Sequence, residues 1–179
     1  MKLNTKNMVR IALYTAIFVI LSLYGTINLK GLKITIQNLP IYVAAITGGV
    51  VPGALVGFIG MFLNQMLTYG FQATTLFWVL PQAILGVACG YIFENGIIKL
   101  SNKKKFFVTI IALQIMVTLL NTVVLLIDSI VYGYYNILVI FGLLIVRIML
   151  SILTGIVFCF IIPLIVDLTK KYIDPMIKS

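Results

Sequence analysis

Apolar residues run along this chain in blocks of roughly twenty, separated by short polar or basic breaks, and a block of that length is what a helix needs to cross the hydrocarbon of a bilayer. Six stretches can be drawn, over residues 9–28, 39–51, 53–69, 75–98, 106–131 and 137–166. The second is short and the last is long. In lipid every backbone N–H and C=O must find an internal partner, so the chain must either coil or close into a barrel. The strict alternation of a barrel strand appears only briefly, in Lys33-Ile34-Thr35-Ile36-Gln37. The pattern therefore predicts an all-α integral membrane protein, a bundle of six transmembrane helices forming one domain over residues 1–179.

Composition agrees: 62% of the residues are hydrophobic and 9% are charged. The placement of the charges orients the bundle, because Lys and Arg accumulate in loops that stay in the cytoplasm. Lys2, Lys6 and Arg10 precede or open the first stretch, Lys99, Lys103, Lys104 and Lys105 separate the fourth from the fifth, and Lys170, Lys171 and Lys178 follow the sixth. These ten of the 13 basic residues share one side, with Lys30 and Lys33 on the other and Arg147 inside a span. Both termini are expected in the cytoplasm. A net charge of +9 then needs no nucleic acid as partner, since basic ends beside an anionic leaflet of the lipid bilayer give the same excess. The first apolar run lacks a small-residue cleavage signature after it and reads as a retained helix. Cys89 and Cys159 fall in different spans without paired spacing, so neither a disulfide framework nor a redox motif is indicated.

The chemistry open to such a chain is narrow. It has no His and four carboxylates, Glu94, Asp128, Asp167 and Asp174. Paired-carboxylate acid–base catalysis, zinc binding and a Ser-His-Asp triad are each short of parts. The Gly-x-x-x-x-Gly-Lys-Ser/Thr phosphate loop is missing, and so is a relay of intramembrane carboxylates. An enzyme is not expected, and no cofactor.

Polar residues inside the spans then carry the information, because each is costly to insert and tends to face the bundle interior or a wet cavity. Gln114, Thr118, Asn121, Thr122 and Asp128 recur at helical spacing in the fifth stretch, and Arg147, Ser151, Thr154 and Gly155 in the sixth. If these helices form an antiparallel pair turning near Tyr134, Asn121 and Arg147 are each 13 positions from the turn and become neighbours. Arg147 would then lie about 15 Å below the outer end of its helix. Inserting an arginine there costs about 2.5–3.5 kcal/mol on translocon scales, so it needs compensation. It is either a structural anchor satisfied by Asn121, a carbonyl or water, or a clamp for an anionic group on a ligand, to which its planar fork is suited. Asp128 reads first as a loop-end charge.

The outward loops hold Phe71, Gln72, Thr74 and Thr75, with Trp78 opening the next helix, and Tyr132, Tyr134, Tyr135 and Asn136 between the last two stretches. Aromatics at this depth form interfacial belts, or here could stack on a planar ligand near the mouth of the polar stripes. Residues 30–37 would make an outer loop long enough to act as a lid. Small residues mark close helix approach: Gly53, Gly57, Gly60 and Asn64 on the third helix, beside which Gln65 is also polar; Gln82, Gly86 and Gly90 on the fourth; Ala12 and Ala16 on the first. The glycine stripes suit internal packing, whereas the isolated Ala12-x-x-x-Ala16 patch could dock a helix of another protein.

The chain resembles the substrate-binding S components of energy-coupling factor (ECF) vitamin transporters. The likeness runs nearly the whole length: a basic N-terminus, Ala-x-x-x-Ala in the first helix, an outer loop leading into Asn38-Leu39-Pro40, then Gly48-Gly49-Val50-Val51-Pro52-Gly53-Ala54-Leu55-Val56-Gly57. Asn121-Thr122, Tyr132-Gly133 and Arg147 resemble the last two helices of the folate-type subgroup. The resemblance implies a multi-pass protein of the bacterial cytoplasmic membrane. Its six helices open a vitamin pocket to the outside, and the small-residue face of its first helix meets an ECF module of a membrane scaffold and two ATPases. It makes Ala12 and Ala16 the docking patch, and it makes Asn121, Arg147 and the outer-loop residues pocket candidates. Together with the spans' own polar residues, the expected substrate-binding set is Arg147, Asn121, Asn64, Gln65, Gln72, Thr75, Trp78, Gln82, Asp128, Tyr132, Tyr135 and Ser151. The chain departs from many folate-type members at Met61, where they carry an acidic residue, and at Gly70-Phe71-Gln72-Ala73-Thr74-Thr75, where they carry an aromatic-Pro-Gly loop. Those departures point away from folate itself, while Arg147 and the tyrosines suit a small, mostly planar vitamin or precursor with an anionic or strongly polar group. A membrane scaffold without a ligand, which would pair its polar stripes internally, and a self-sufficient carrier are the alternatives.

Overall fold

The computed structural model describes residues 5–29, 32–98, 100, 102–169 and 171; Lys2, Lys30, Lys99, Lys170, Lys178 and Asp174 lie outside the described residues. In chain order the elements are α1 (Thr5–Tyr24), β1 (Thr26–Leu29), β2 (Leu32–Thr35), α2 (Leu39–Gly48), α3 (Val50–Tyr69), α4 (Thr75–Glu94), α5 (Lys103–Val131), α6 (Ile137–Phe141) and α7 (Leu144–Leu168). Five of the helices, α1, α3, α4, α5 and α7, are long and apolar enough to cross a membrane. The chain is thus a multi-pass helical bundle, and it differs from the six stretches drawn from sequence in three places.

The first apolar stretch does not continue as helix to residue 28. It ends at Tyr24, where Thr26 Oγ1 donates to the Ser22 carbonyl at 2.9 Å, and the chain enters a two-stranded antiparallel hairpin with Thr26 opposite Thr35 and Leu29 opposite Leu32. The short alternating run at residues 33–37 therefore marks a hairpin strand, whose β-branched residues favour extended backbone. This hairpin is the departure from an all-helical chain.

The second stretch yields α2, which at ten residues is about 15 Å long, half the thickness of the hydrocarbon. Pro40 sits in its first turn, where a missing N–H costs nothing, and every residue from Leu39 to Ala45 is buried. It is a short rod inside the bundle, touching α1, α3, α4 and α7. Gly49 ends it with φ +89°, a conformation that glycine alone adopts without strain. At once α3 begins, its first N–H, on Val50, donating to Glu94 Oε2 from the end of α4 at 2.8 Å. A carboxylate there is favoured by the positive end of the helix dipole.

The sixth stretch breaks at Gly142-Leu143 into the five-residue α6 and the long α7. Asn136 starts α6 by accepting from the Leu138 N–H at 3.0 Å.

Along the bundle axis the interior divides in two. At the end that holds the first turns of α1, α3 and α5 and the last turns of α4 and α7, the interior is solid and apolar: Phe18, Ile41, Leu85, Ile110, Phe158 and Ile162 are fully buried, and Tyr42 packs edge-on against Phe158 at 5.7 Å between ring centres. Cys89 and Cys159 are free thiols within it. Toward the opposite end the facing residues become polar, and the packing opens.

Candidate functional site

The polar half encloses a cavity of about 620 Å³, within the 300–1,000 Å³ that small-molecule sites span. Its walls come from the halves of α3, α4, α5 and α7 away from the apolar end, and β2 with the turn into α2 supplies a further edge. The two polar stripes do face one another across it: Asn121 and Thr122 on α5, and Arg147, Ser151 and Thr154 on α7, all line the space.

A hydrogen-bonded set centred on Gln114 bounds the cavity where it meets the solid core. Thr154 Oγ1 donates to the carbonyls of Leu150 and Ser151, both at 3.0 Å, so it can only accept from Gln114 Nε2, 3.4 Å away. That orientation leaves Gln114 Oε1 to accept from Asn38 Nδ2 and from the Tyr42 hydroxyl, each at 3.2 Å. One amide thereby ties α2, α5 and α7 together. Asn38 stands at the cap position of α2 yet makes no capping bond; its side chain is committed to Gln114 instead.

Not every polar group here is satisfied. Among the described residues Gln37 Oε1, Asn38 Oδ1, Gln82 Oε1 and Asn121 Oδ1 are buried without a hydrogen-bond partner, and all four residues line the cavity. A buried unpaired acceptor costs about 1–3 kcal/mol. Four around one hollow define a surface that something carrying donors would complete. The Arg147 guanidinium likewise meets no acceptor or carboxylate among the described residues. Asn121 shares the cavity with it, but no hydrogen bond joins the two.

At the mouth Asp128 gathers three donors. The Thr74 hydroxyl and Trp78 Nε1, the latter at 3.2 Å, reach Oδ1, while the Tyr134 hydroxyl reaches Oδ2. The carboxylate thus pins the start of α4 to the end of α5 and to the connection into α6. Burial, followed by the hydrogen bond to Asp128, pushes the Tyr134 phenol up to about 12, so it stays a neutral donor at physiological pH. Asp128 is a loop clasp, a stronger role than a solvated loop-end charge.

Of the residues singled out from sequence, Arg147, Asn121, Gln65, Gln72, Trp78, Gln82, Asp128, Tyr132 and Ser151 come together around the cavity. Three do not line it. Asn64 faces α1, where its Oδ1 accepts from Ser22 Oγ at 2.9 Å; Thr75 is buried with its hydroxyl accepting from the Gln72 N–H at 2.9 Å; Tyr135 is exposed. The expected substrate-binding set leaves out Gln37 and Asn38, which look like ordinary turn and cap residues, and Tyr134, which figures only among the outward aromatics. The signal for the first two was there: consecutive amides immediately before a wholly apolar helix, with Pro40 already fixing the helix start.

On the outer surface of the bundle α1 and α3 leave a second, apolar groove of about 730 Å³. Ala12 and Ala16 line it with Leu55, Ile59 and Leu63, and Thr15 contributes a buried hydroxyl with no partner among the described residues.

A membrane bundle with an amide-lined hollow in one half has the form of a small-molecule binding protein. Among solved structures the fold is similar to that of the chain described as "Crystal structure of FolT bound with folic acid", with a TM-score of 0.55 and 17% identity, covering 85% of this chain and 95% of that one. At that identity the likeness concerns the fold. No curated protein matches the sequence. The family is decided by the sequence itself: residues 2–170 match the ECF-type riboflavin transporter, S component, and the chain belongs to that family. It is a substrate-binding subunit for vitamin transport and not an enzyme.

Proposed function

We propose that this chain captures a small planar vitamin or vitamin precursor from outside the bacterial cytoplasmic membrane, in the cavity bounded by Arg147, Asn121, Gln82 and Asn38, and passes it inward when an ECF module hydrolyses ATP. The observation that carries this reading is the set of buried amide oxygens and one guanidinium that the protein itself leaves unpaired around a single hollow. A scaffold without a ligand would have paired its stripes internally. Both termini lie in the cytoplasm on this reading, by the excess of Lys and Arg at that end, and the cavity opens outward. Riboflavin, named by the family, and folic acid, bound by FolT, are the first ligands to try.

The groove between α1 and α3 is the docking face for the module's membrane scaffold. Its small floor at Ala12 and Ala16 lets a partner helix come close, which is how helices associate in lipid, and the Thr15 hydroxyl offers that helix a hydrogen bond.

The test is binding of a vitamin panel to the purified full chain. Tight binding of one member, weakened by Arg147→Ala and kept in Ala12→Trp, which should instead abolish co-purification with the module, is the expected result. Failure of every panel member to bind would return the chain to the scaffold class. Uptake into vesicles by the chain alone, with no ATPase, would make it a self-sufficient carrier.

A further inference from the structure

Of two unpaired groups, one has its orientation fixed by the protein's own bonding and the other its depth fixed by helix register, and together they say what shape of ligand the cavity accepts. Asn38 Nδ2 is held by Gln114, whose orientation is set in turn by Thr154. Asn38 Oδ1 is therefore an acceptor that cannot turn into a donor, buried and unpaired. Arg147 is the opposite, a permanent cation that only donates. Seven residues separate Gln114 from Asn121 on α5, and seven separate Arg147 from Thr154 on α7. Because Gln114 and Thr154 are hydrogen-bonded, Asn121 and Arg147 both sit about 10 Å nearer the mouth than the Asn38 level.

Resting on the reading of the cavity as the vitamin site, we propose that the ligand is two-ended: a ring bearing N–H or NH₂ donors at the inner end against Asn38 Oδ1, and an anionic oxygen, carboxylate or phosphate, about 10 Å away at Arg147. Asp128 makes no ion pair with the guanidinium; its carboxylate accepts from Thr74, Trp78 and Tyr134 instead. Arg147 is half-buried, and a neutral ligand that covered it would strip water from the guanidinium without giving it a partner, which costs more than leaving a neutral group so. The site thus discriminates by charge, preferring an acidic vitamin or a phosphorylated one to its neutral parent.

Titration calorimetry of the full chain with riboflavin, riboflavin 5′-phosphate and folic acid separates the outcomes. At least one anionic probe should bind about tenfold to a hundredfold more tightly than riboflavin, the range expected for one or two charge-assisted hydrogen bonds. Arg147→Met should erase that margin, Arg147→Lys should keep part of it, and the ring N-methyl analogue of the probe that binds should lose about tenfold. The ligand-free melting temperature of Arg147→Met should not fall, since no protein partner is lost. Riboflavin binding as tightly as both anions, or a lowered ligand-free melting temperature in Arg147→Met, which would make Arg147 an anchor, overturns the inference while the transport reading stands. If riboflavin, its phosphate, folic acid and the remaining vitamins all fail to bind, the transport reading falls and this inference with it.

Discussion

The α3–α4 and α5–α7 pairs are built from the same ingredients, small and polar residues repeated along one helical face, and they do opposite things. Between α3 and α4 the backbones touch: a Cβ added to Gly53 would come 2.8 Å from the Gly86 carbonyl oxygen, and one added to Gly57 or Gly86 would collide with the carbonyl of Gln82 or Gly53. Between α5 and α7 the approach is looser: a Cβ added to Gly155 would meet Ile111 at 3.2 Å, and one turn away Gln114 meets Thr154 side chain to side chain. Beyond that pair the helices face each other with Asn121 and Arg147 and enclose the cavity. Glycine facing glycine brings helices together; long polar side chains facing each other hold them apart, and the space between must then be finished by something else.

Substitutions can break or sharpen that contrast. The largest effect is expected from Gly86→Leu, which drives a side chain into the α3 backbone where no rotamer helps. Stability should fall by about 3 kcal/mol or more, the upper end of overpacking costs, read as a lower melting temperature or loss of folded protein in detergent. An unchanged melting temperature would mean that the α3–α4 contact is not the rigid side. Gln114→Leu comes next. It leaves Asn38 Nδ2 and the Tyr42 hydroxyl without their acceptor, and should cost about 2 kcal/mol and weaken ligand binding together; intact stability would show that the inner boundary of the cavity does not need this amide. Asp128→Asn keeps the shape of the clasp but loses its charge, so a cost of about 1 kcal/mol is expected. It should also bring faster ligand release in stopped-flow fluorescence, with Trp78 as the reporter beside the lesion. Tyr134→Phe removes one of the three donors to that carboxylate and should give the same change at about half the size.

How much of this could be read from the sequence depended on whether a feature is local. Apolar length is local, and it located α1, α3, α4 and α5 to within about four residues at each end, while the sixth stretch begins seven residues before α7 because it runs on through α6. The stripes on α5 and α7 are periodic within one helix, so their meeting at a common space was legible, and the role of Arg147 was left open between anchor and clamp. What escaped depends on contacts far apart in the chain. Asn64 and Gln65 are adjacent polar residues on one helix, yet one turns to Ser22 and the other to the cavity, because a step of one residue rotates a side chain by about 100°. Asn38 stands at the cap position of α2 and is tied instead to Gln114, 76 positions on. The short α2 was visible as a short apolar stretch, but a length that falls between strand and span does not say that every face will be buried.

Because Gly49 stops α2 abruptly, the ten-residue rod has one tip, Asn38, at the inner edge of the cavity and the other beside Glu94 and the first turn of α3. A helix so short does not bend appreciably along its length. A load on Asn38 along the rod would therefore reach Gly49 and the carboxylate-held start of α3, so the cavity edge and the far half of the bundle share one short lever.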